Sequence, residues 1–363
     1  MIYLVYISLF LSIVMLINAT INLLFKQQLK KGKEDSTKLV SILVPARNEE
    51  KNIASLLESI QKLEYKNIEV LVFDDQSNDN TGIVVSEYSK TDPRIKLIPS
   101  TYLPKGWLGK NFGCRSLAKQ AKGDYLLFVD ADVILEKDII QYSIEMCGKN
   151  GLGLLSIFPK QIMCSFGEKI TVPIMNYILL TLLPLIFVRI SPFNSHAAAN
   201  GQFMFFKTED YIRKRPHETF KDSPVEDIKI AKLFKKKNIK IVCLGYDKRV
   251  SCRMYGGYSE ALNGFAKNVF MFFGGYSFLS ILFWIVTTIG FIPMLFVNIR
   301  FLILYLTILV LTRAIVSSAS GQNAVANILL MPLQQLFLLH VIIKAFIASK
   351  QKSHIWKERN IYS

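Results

Sequence analysis

The sequence predicts an α/β domain with a mostly parallel β-sheet, anchored by apolar helices at both ends of the chain. Through the middle of the chain, short apolar runs typical of buried strands alternate with runs at helical spacing. The two ends carry long apolar stretches, although the 363 residues have a net charge of +16 and are 51% hydrophobic. Charge and apolar residues are therefore segregated along the chain, which favours a membrane-bound protein with a globular domain.

The composition narrows the choice of partners. Basic charge is compatible with nucleic-acid binding, but the sequence contains no nucleic-acid recognition motif, and its apolar ends favour an anionic membrane surface. The five cysteines have no C-x-x-C spacing, which argues against a disulfide framework or a zinc site and favours a reducing compartment. We therefore expect the membrane bilayer as a partner, and no nucleic acid.

Residues 1–26 are predicted to be an uncleaved transmembrane anchor. Residues 3–25 carry no charge and are long enough to cross a hydrocarbon core of about 30 Å. Lysines follow directly, and the positive-inside rule places them in the cytoplasm with the N-terminus outside. They are Lys26, Lys30, Lys31 and Lys33. A cleaved signal peptide is the alternative, but it carries its positive charge before the apolar region and needs an A-x-A site, which is not evident here.

Residues 38–272 are predicted to form the globular domain, and its first half alternates strands with helices. Three apolar strands end at Pro45, at Asp74-Asp75 and at Asp130. In an open parallel sheet, ligands bind beyond the carboxyl ends of the strands, so we expect these positions to converge. The absence of G-x-G-x-x-G and G-x-x-x-x-G-K-[ST] motifs argues against a standard dinucleotide fold and a P-loop.

The stretch 125–133 runs from a buried strand into the acidic pair Asp130 and Asp132. Two carboxylates at a strand end repel each other and lose hydration, so a positive counter-charge is expected. Their hard oxygens suit Mg²⁺ or Mn²⁺ carrying the diphosphate of a sugar nucleotide. We therefore predict metal ligands at Asp130 and Asp132. The alternative for a lone D-x-D is a turn in which Asp132 caps a helix.

Four motifs occur in a fixed order: P-A-R-N-E-E at 45–50, D-D-Q-S-N-D-N-T at 74–81, G-W-L-G-K at 106–110 and V-D-A-D-V at 129–133. In this set the sequence resembles the family 2 glycosyltransferases with a GT-A (Rossmann-like) fold. It is most similar to membrane-bound carotenoid glycosyltransferases of the diaponeurosporenoate and chlorobactene type. Each motif alone is weak, whereas the ordered set is specific and the resemblance covers about 38–275.

The resemblance implies an inverting transfer of a sugar from a UDP-sugar to a membrane lipid acceptor, with a divalent metal. It implies that Lys110 contacts the pyrophosphate and that Asp227, in the motif Glu226-Asp227, is the catalytic base. Acids in the first turn of a helix are also normal helix-start chemistry, which is the structural alternative for this pair. The residues expected to bind the donor are Pro45, Ala46, Arg47, Glu49, Asp74, Asp75, Lys110, Asp130, Gln202 and Arg253.

Two other functions remain open. A processive polysaccharide synthase carries Q-x-x-R-W where this chain has R-M-Y at 253–255, so the expected Gln and Trp are missing. A membrane transporter with a cytosolic nucleotide-binding domain predicts ionisable residues in its membrane segments. The candidates for such residues are Arg313, His340 and Lys344.

The segment at about 170–190 is apolar, but a crossing there would separate Asp132 from Asp227 by the bilayer. It is therefore predicted to be an interfacial helix. Residues 275–349 are predicted to hold the C-terminal transmembrane segments, with the number of crossings left open, and 350–363 a basic cytoplasmic tail. These assignments predict a multi-pass protein of the cell membrane with a cytoplasmic catalytic domain.

Overall fold

The computed structural model describes residues 1–30, 37–351, 355–356 and 359–360, and the chain divides into two compact units. The helical unit comprises Met1–Lys26, Gln161–Pro184 and Met254–Tyr362, and the α/β unit comprises Gln27–Lys160 and Leu185–Arg253. Most of the predicted tail 350–363, together with Lys31 and Lys33, lies outside the described residues.

The strands of the α/β unit form one eight-stranded sheet. They are β1 (Val40–Ala46), β2 (Ile68–Asp74), β3 (Ile95–Pro99), β4 (Tyr125–Val129), β5 (Val133–Leu135), β6 (Leu154–Gln161), β7 (Phe203–Lys207) and β8 (Ile241–Cys252). Their order across the sheet is β3-β2-β1-β4-β7-β6-β8-β5. Two short strands near the C-terminus, β9 (Ile355–Trp356) and β10 (Arg359–Asn360), pair with each other.

The helices alternate with the strands in the first half of the chain and dominate its end. They are α1 (Ile2–Leu24), α2 (Ile53–Gln61), α3 (Thr81–Thr91), α4 (Gly109–Gln120), α5 (Ile139–Asn150), α6 (Phe166–Thr171), α7 (Pro173–Leu182), α8 (Ile186–Ile190), α9 (Thr208–Lys214), α10 (Pro216–Thr219), α11 (Glu226–Lys236), α12 (Tyr258–Asn268), α13 (Ser277–Thr288), α14 (Ile292–Val297), α15 (Ile299–Ala319), α16 (Ala324–Leu329) and α17 (Met331–Gln351).

One half of the sheet is parallel and the other half is mixed. Strands β1, β2, β3 and β4 run parallel, with Ala46 opposite Asp74 and Leu43 opposite Phe128. Strand β7 then pairs antiparallel with β4, which sets Phe203 opposite Val129. The predicted α/β class is confirmed, and the antiparallel strand carries a distant part of the chain to the end of β4.

Apolar residues in β1 and α2 form part of the core under this edge of the sheet. Strand β1 is covered on both faces, so Val40 through Val44 are all buried, as expected for a central parallel strand. Helix α2 buries Ile53, Leu56, Leu57 and Ile60, a spacing that places them on one helical face. The strand ends that follow this core are therefore held on a rigid base.

The helical unit contains the segments that are long and apolar enough to cross a membrane. In the described part of the chain they are Ile2–Leu24, Ile299–Ala319 and Met331–Lys350. A further pair, Tyr258–Phe273 and Ser277–Thr288, meets the same test together but is bent by 97°. Helix α1 packs along α15, and a cluster of buried side chains fills their contact. Its members are Val5, Leu9, Met294, Tyr305, Ile308 and Leu309.

The apolar segment at about 170–190 is divided between α7 and α8, which belong to different units. Helix α7 is enclosed by its neighbours in the helical unit, α1 and α15 among them, so its residues from Pro173 to Thr181 are buried. Asn22 of α1 donates to the carbonyls of Leu180 and Leu183 at the end of α7, at 2.9 Å in both cases. The placement of the segment 170–190 at the membrane interface stays a prediction.

Candidate active site

A lysine joins two acidic side chains at the carboxyl end of β4. The Nζ atom of Lys110, in the first turn of α4, lies 2.8 Å from Asp130 Oδ1 and 3.5 Å from Glu226 Oε1. Burial lowers the pKa of Lys110, but the negative charges of Asp130 and Glu226 outweigh it and hold that pKa well above its usual value. Lys110 is therefore a permanent positive charge between the end of β4 and the start of α11.

Gly201 lies at the point where Lys110 approaches the acids of α11. The backbone N–H of Gly201 donates to Asp227 Oδ2 at 3.0 Å. A methyl group at Gly201 would lie 3.2 Å from Lys110 Nζ and 3.6 Å from both Asp227 Oδ2 and Glu226 Oε1. Glycine thus allows the lysine and the two carboxylates to approach one backbone segment closely.

Asp227 has the environment of a general base. Burial raises its pKa to about 6, assisted by the negative charge of Glu226 and opposed by Lys110 and by hydrogen bonds. Its Oδ1 accepts from the backbone N–H of Ile228 at 2.8 Å and its Oδ2 from Gly201. These bonds fix the carboxylate, and each oxygen keeps a lone pair that can accept a further proton.

Asp132 is the second acid of the D-x-D pair and has a buried oxygen. Its Oδ2 accepts from Gln202 Nε2 at 3.4 Å, and Gln202 Nε2 also donates to Cys252 Sγ at 2.8 Å. Its Oδ1 is buried and has no hydrogen-bond partner among the described residues. Burial, followed by the charge of Asp130, raises the pKa of Asp132 to about 7. In the pair formed by Asp130 and Asp132, the Asp132 carboxylate therefore lacks a compensating positive charge.

Asp130 and Asp132 fit a divalent cation only together with a substrate. In the part of the chain that the structure describes, no three His, Cys, Asp or Glu side chains are grouped as a metal site. Mg²⁺ typically takes one or two carboxylates and completes its coordination with substrate phosphates and water. The unsatisfied Oδ1 of Asp132 beside the Asp130 carboxylate suits such a cation.

The loop after β2 is braced by Arg47, which follows β1. Arg47 Nη1 donates to the carbonyls of Asp75 and Gln76, at 2.6 and 2.8 Å. The Asp75 N–H donates to Ala46 O at 2.8 Å, and the Asp75 side chain is buried. Pro45 lies one residue earlier in β1, opposite Phe73. The predicted nucleotide-binding residues of β1 and β2 thus form one connected edge.

Asp74 and Asp75 point in different directions because neighbouring residues of a strand face opposite sides. Asp74 Oδ1 accepts from the backbone N–H of Ser77 at 3.0 Å, and its side chain borders a cavity with Ile83 and Lys90 of α3. The structure therefore places Asp74 at the end of β2, with its side chain bonded to the turn that leads into α3.

The other predicted donor-site residues lie around the same edge. Glu49 accepts from Asn52 Nδ2 at 2.8 Å, and its charge contributes to the raised pKa of Asp132. Arg253 is exposed and follows Cys252, the last residue of β8. Because β1 separates β2 from β4 and adjacent strands are about 4.8 Å apart, the Asp75 and Asp130 ends of the sheet are roughly 10 Å apart.

The structure brings six of the predicted residues into one contact network: Lys110, Asp130, Asp132, Gln202, Glu226 and Asp227. Gly201, which precedes Gln202 in the sequence, also belongs to this network. Cys252 was not expected there, because only the antiparallel pairing of β8 with β5 reveals its position. Asn111 was not expected either; its Nδ2 donates to the carbonyls of Phe220, Lys221 and Ser223 at 2.9, 3.2 and 2.9 Å. Its only signal is a polar residue in the buried face of a helix.

Part of this chain is similar in sequence to known proteins. The sequence model described as "Glycosyl transferase family 2" matches residues 41–215. The 4,4'-diaponeurosporenoate glycosyltransferase of Staphylococcus haemolyticus is 28% identical over 246 residues, which are 66% of this chain and 63% of the relative. The enzyme of that name from Staphylococcus aureus USA300 is 28% identical over 242 residues, 66% of this chain and 62% of the relative. The aligned part spans less than two thirds of these relatives.

A solved structure shows the same fold. The mannosyltransferase PcManGT from Pyrobaculum calidifontis, in complex with GDP-Man and Mn²⁺, superposes with a TM-score of 0.59 at 17% identity. The superposition covers 94% of this chain and 99% of that one. The predicted GT-A fold class is thereby confirmed, and residues 41–215 are similar in sequence to the family 2 glycosyltransferases.

Proposed function

We propose that this protein transfers a sugar from a UDP-sugar to a membrane lipid acceptor, with inversion at the sugar carbon. The curated relatives are named for 4,4'-diaponeurosporenoate, which supports a carotenoid-type acceptor. The three candidate membrane helices support an acceptor that resides in the lipid phase. The mannosyltransferase of the same fold was solved with a nucleotide sugar and Mn²⁺, which is compatible with a metal-assisted nucleotide-sugar site here.

The donor diphosphate is proposed to lie between Lys110 and the acidic pair Asp130 and Asp132. Lys110 offers a compact positive charge to phosphate oxygens, and its link to Asp130 and Glu226 holds it in place. A divalent cation, Mg²⁺ or Mn²⁺, held by Asp130 and Asp132 would neutralise the charge of the leaving diphosphate. The nucleoside is proposed to lie across the β1 and β2 ends, where Asp75, Arg47 and Ala46 are connected.

Asp227 is the proposed base. The acceptor hydroxyl or carboxyl oxygen attacks the anomeric carbon as the bond to the diphosphate breaks. A hydroxyl acceptor loses its proton to an Asp227 oxygen in that step. An acceptor carboxylate needs no such transfer, and Asp227 then orients it only if it is protonated. The Gly201 and Ile228 N–H groups orient the carboxylate, and the nearby charge of Glu226 favours proton uptake.

The observation that carries this proposal is the Lys110 contact with Asp130 on one side and Glu226 on the other. This contact joins the motif at the end of β4, residues 129–133, to the motif at the start of α11, Glu226-Asp227. The two motifs are far apart in the sequence. A structural capping role for each motif separately gives no reason for a lysine between them. A fixed positive charge between the two motifs is suited to stabilise the charge that develops on a leaving diphosphate.

The test uses membranes that contain the full chain, incubated with Mn²⁺, several labelled UDP-sugars and a lipid extract. We expect Asp132→Ala and Asp227→Asn each to lose at least about 100-fold in transfer rate, within the range typical of essential acid–base and charge-stabilising groups. Only Asp132→Ala should also lose metal-dependent binding of UDP. Asp222→Asn is the matched control, because Asp222 is exposed and lies five residues before Asp227.

The result can also reject the proposal. Full activity of Asp227→Asn would remove the assigned base, and metal-dependent UDP binding that survives in Asp132→Ala would remove the assigned metal site. Label released into the aqueous phase as polymer would favour a processive polysaccharide synthase. Failure of every UDP-sugar, together with transfer from another nucleotide sugar, would correct the donor and leave the site intact.

A further inference from the structure

Arg313 is a buried cation in one of the candidate membrane helices. It lies on α15, its side chain is 2% exposed, and no described carboxylate forms an ion pair with it. Position 313 is six residues before the end of α15, about 9 Å along the helix axis. Charged side chains at such a depth are costly unless they are paired, and they generally mark a functional site.

Arg313 contacts its neighbours through one face of its guanidinium group and through only one of its three side-chain nitrogens. The guanidinium carbon lies 3.5 Å from the ring centroid of Tyr177 on α7, so the face of the group is stacked. Nη1 donates to Gln334 Oε1 on α17 at 2.9 Å. Nε and Nη2 have no hydrogen-bond partner among the described residues. The unused donors are thus two adjacent nitrogens on one edge of the guanidinium.

The contacts of another arginine show which chemical groups bind the Nε and Nη2 edge. In the α/β unit, Arg94 Nε and Nη2 donate to the two carboxylate oxygens of Asp92 at 2.9 and 2.7 Å. This is the bidentate arrangement that planar guanidinium groups form with carboxylates and phosphates. At Arg313 the same two nitrogens are buried and have no acceptor among the described residues.

The polar groups around Arg313 have donors to spare. Gln334 Nε2 donates to Asn327 Oδ1 at 3.1 Å, and Asn327 Nδ2 donates to Gln322 Oε1 at 3.0 Å. The Nε2 atom of Gln322 is buried and has no partner in the described part of the chain. The polar atoms of this connected set that lack a partner are thus all donors, and the two on Arg313 suit a ligand that accepts hydrogen bonds.

We propose that Arg313 is the anchor of a binding site for an oxyanion, a carboxylate or phosphate carried by a lipid, within the helical unit. The Nε and Nη2 edge holds two oxygens of the anion, Tyr177 fixes the plane of the guanidinium, and Gln334 fixes its rotation. Basic pockets between membrane helices bind anionic lipid head groups in this way. This site goes beyond the proposed sugar transfer and does not depend on it.

The test measures binding to the full chain in neutral detergent, with no sugar donor present. The probes are oleate, dioleoylphosphatidylglycerol, inorganic phosphate and the uncharged dioleoylglycerol. Each is titrated while the thermal unfolding midpoint is followed, since a ligand that binds only the folded state raises it. The variants are Arg313→Lys, which keeps the charge but loses the bidentate edge, and Arg300→Gln, which removes an exposed charge from the same helix.

We expect oleate or phosphatidylglycerol to raise the midpoint of the wild type and of Arg300→Gln, and dioleoylglycerol to have no comparable effect. Arg313→Lys should weaken the apparent affinity about tenfold or more, the scale of one lost charge-assisted pair. A response to inorganic phosphate that also depends on Arg313 would identify a free anion as the ligand, whereas a response to the lipids alone would identify a lipid head group.

Equal affinity of Arg313→Lys and the wild type would overturn the proposal, as would a wild type that responds to none of the charged probes. If Arg313→Lys does not fold, the proposal is tested instead by native mass spectrometry of the wild type with bound lipids. Retention of the anionic lipids over dioleoylglycerol in competition supports the site, and the absence of that preference rejects it.

Discussion

The ionisation of Asp227 sets the pH dependence expected for the reaction with a hydroxyl acceptor. Its pKa is raised to about 6 by burial and then by the charge of Glu226, so the carboxylate becomes available as pH rises through that value. We expect kcat/KM for transfer to a hydroxyl acceptor to rise across the same range. Glu226→Gln removes a negative neighbour, which lowers the pKa of Asp227 and moves the acid limb to lower pH.

The measurement is the pH profile of kcat/KM for the wild type and Glu226→Gln, because kcat/KM reports groups of the free enzyme. Asp222→Asn, which changes an exposed acid nearby, should leave the profile in place. A Glu226→Gln profile that stays unchanged, or moves to higher pH, would contradict the assignment of Asp227 as the titrating base.

Gly201 offers a separate test of the geometry of the site. A methyl group there would lie 3.2 Å from Lys110 Nζ, so the lysine must shift by a few tenths of an ångström. We expect Gly201→Ala to lower kcat about tenfold, because small displacements of positioned groups are costly in catalysis. The unfolding midpoint should change little, since the flexible end of the lysine can move. Gly148→Ala is the control, because open space surrounds the added methyl group there. A large loss of stability with unchanged kcat would show a structural role instead.

At the scale of elements, Asn111 connects α4 to the loop before α11. Its side chain bonds three backbone carbonyls of residues 220–223, and it is buried. Asn111→Ala leaves those carbonyls without this donor, at about 1–3 kcal/mol for an unsatisfied buried group. We expect a lower unfolding midpoint and a lower kcat together, because Lys110 lies next to Asn111 on α4 and Asp227 follows the loop that Asn111 holds.

The control for this prediction is Lys119→Ala on the exposed face of the same helix. It should change neither the unfolding midpoint nor kcat appreciably, since exposed substitutions away from special contacts usually fall within ±0.5 kcal/mol. Loss of stability in Asn111→Ala with normal kcat would show that Asn111 stabilises the fold without positioning the two helices for the reaction.

The parallel half of the sheet was predictable from strand patterns, whereas Gln202, Glu226 and Asp227 were expected only through the family resemblance and Cys252 was not expected. Strands β1, β2 and β4 are apolar runs that end at Ala46, Asp74 and Val129, so the polar residues at and after their ends were expected at one edge. Gly201 reaches that edge because β7 pairs antiparallel with β4, and Cys252 because β8 pairs with β5. Antiparallel pairing between segments some 70 to 120 residues apart leaves no local pattern, since register is set by tertiary contacts.

At the scale of the whole molecule, the net charge of +16 and the apolar helices are compatible because they occupy different parts of the chain. The length and composition of the apolar helices do not indicate on which side of a membrane the α/β unit lies. Lys26 and Lys30 follow α1 directly, and the sequence continues from them into the α/β unit. The positive-inside rule therefore predicts that the α/β unit lies in the cytoplasm.

This orientation can be measured with a membrane-impermeant maleimide. Among the described cysteines, Cys164 is exposed and the other four are buried, so Cys164→Ser gives a background with little labelling. In that background, a cysteine introduced by Asp222→Cys should be labelled only after the cells are permeabilised, because residue 222 is exposed on the α/β unit. A cysteine introduced by Ile2→Cys, at the start of the first candidate span, should be labelled in intact cells. Labelling of the Asp222→Cys protein in intact cells would place the Lys110 and Asp227 network on the outer side of the membrane and reverse the predicted topology.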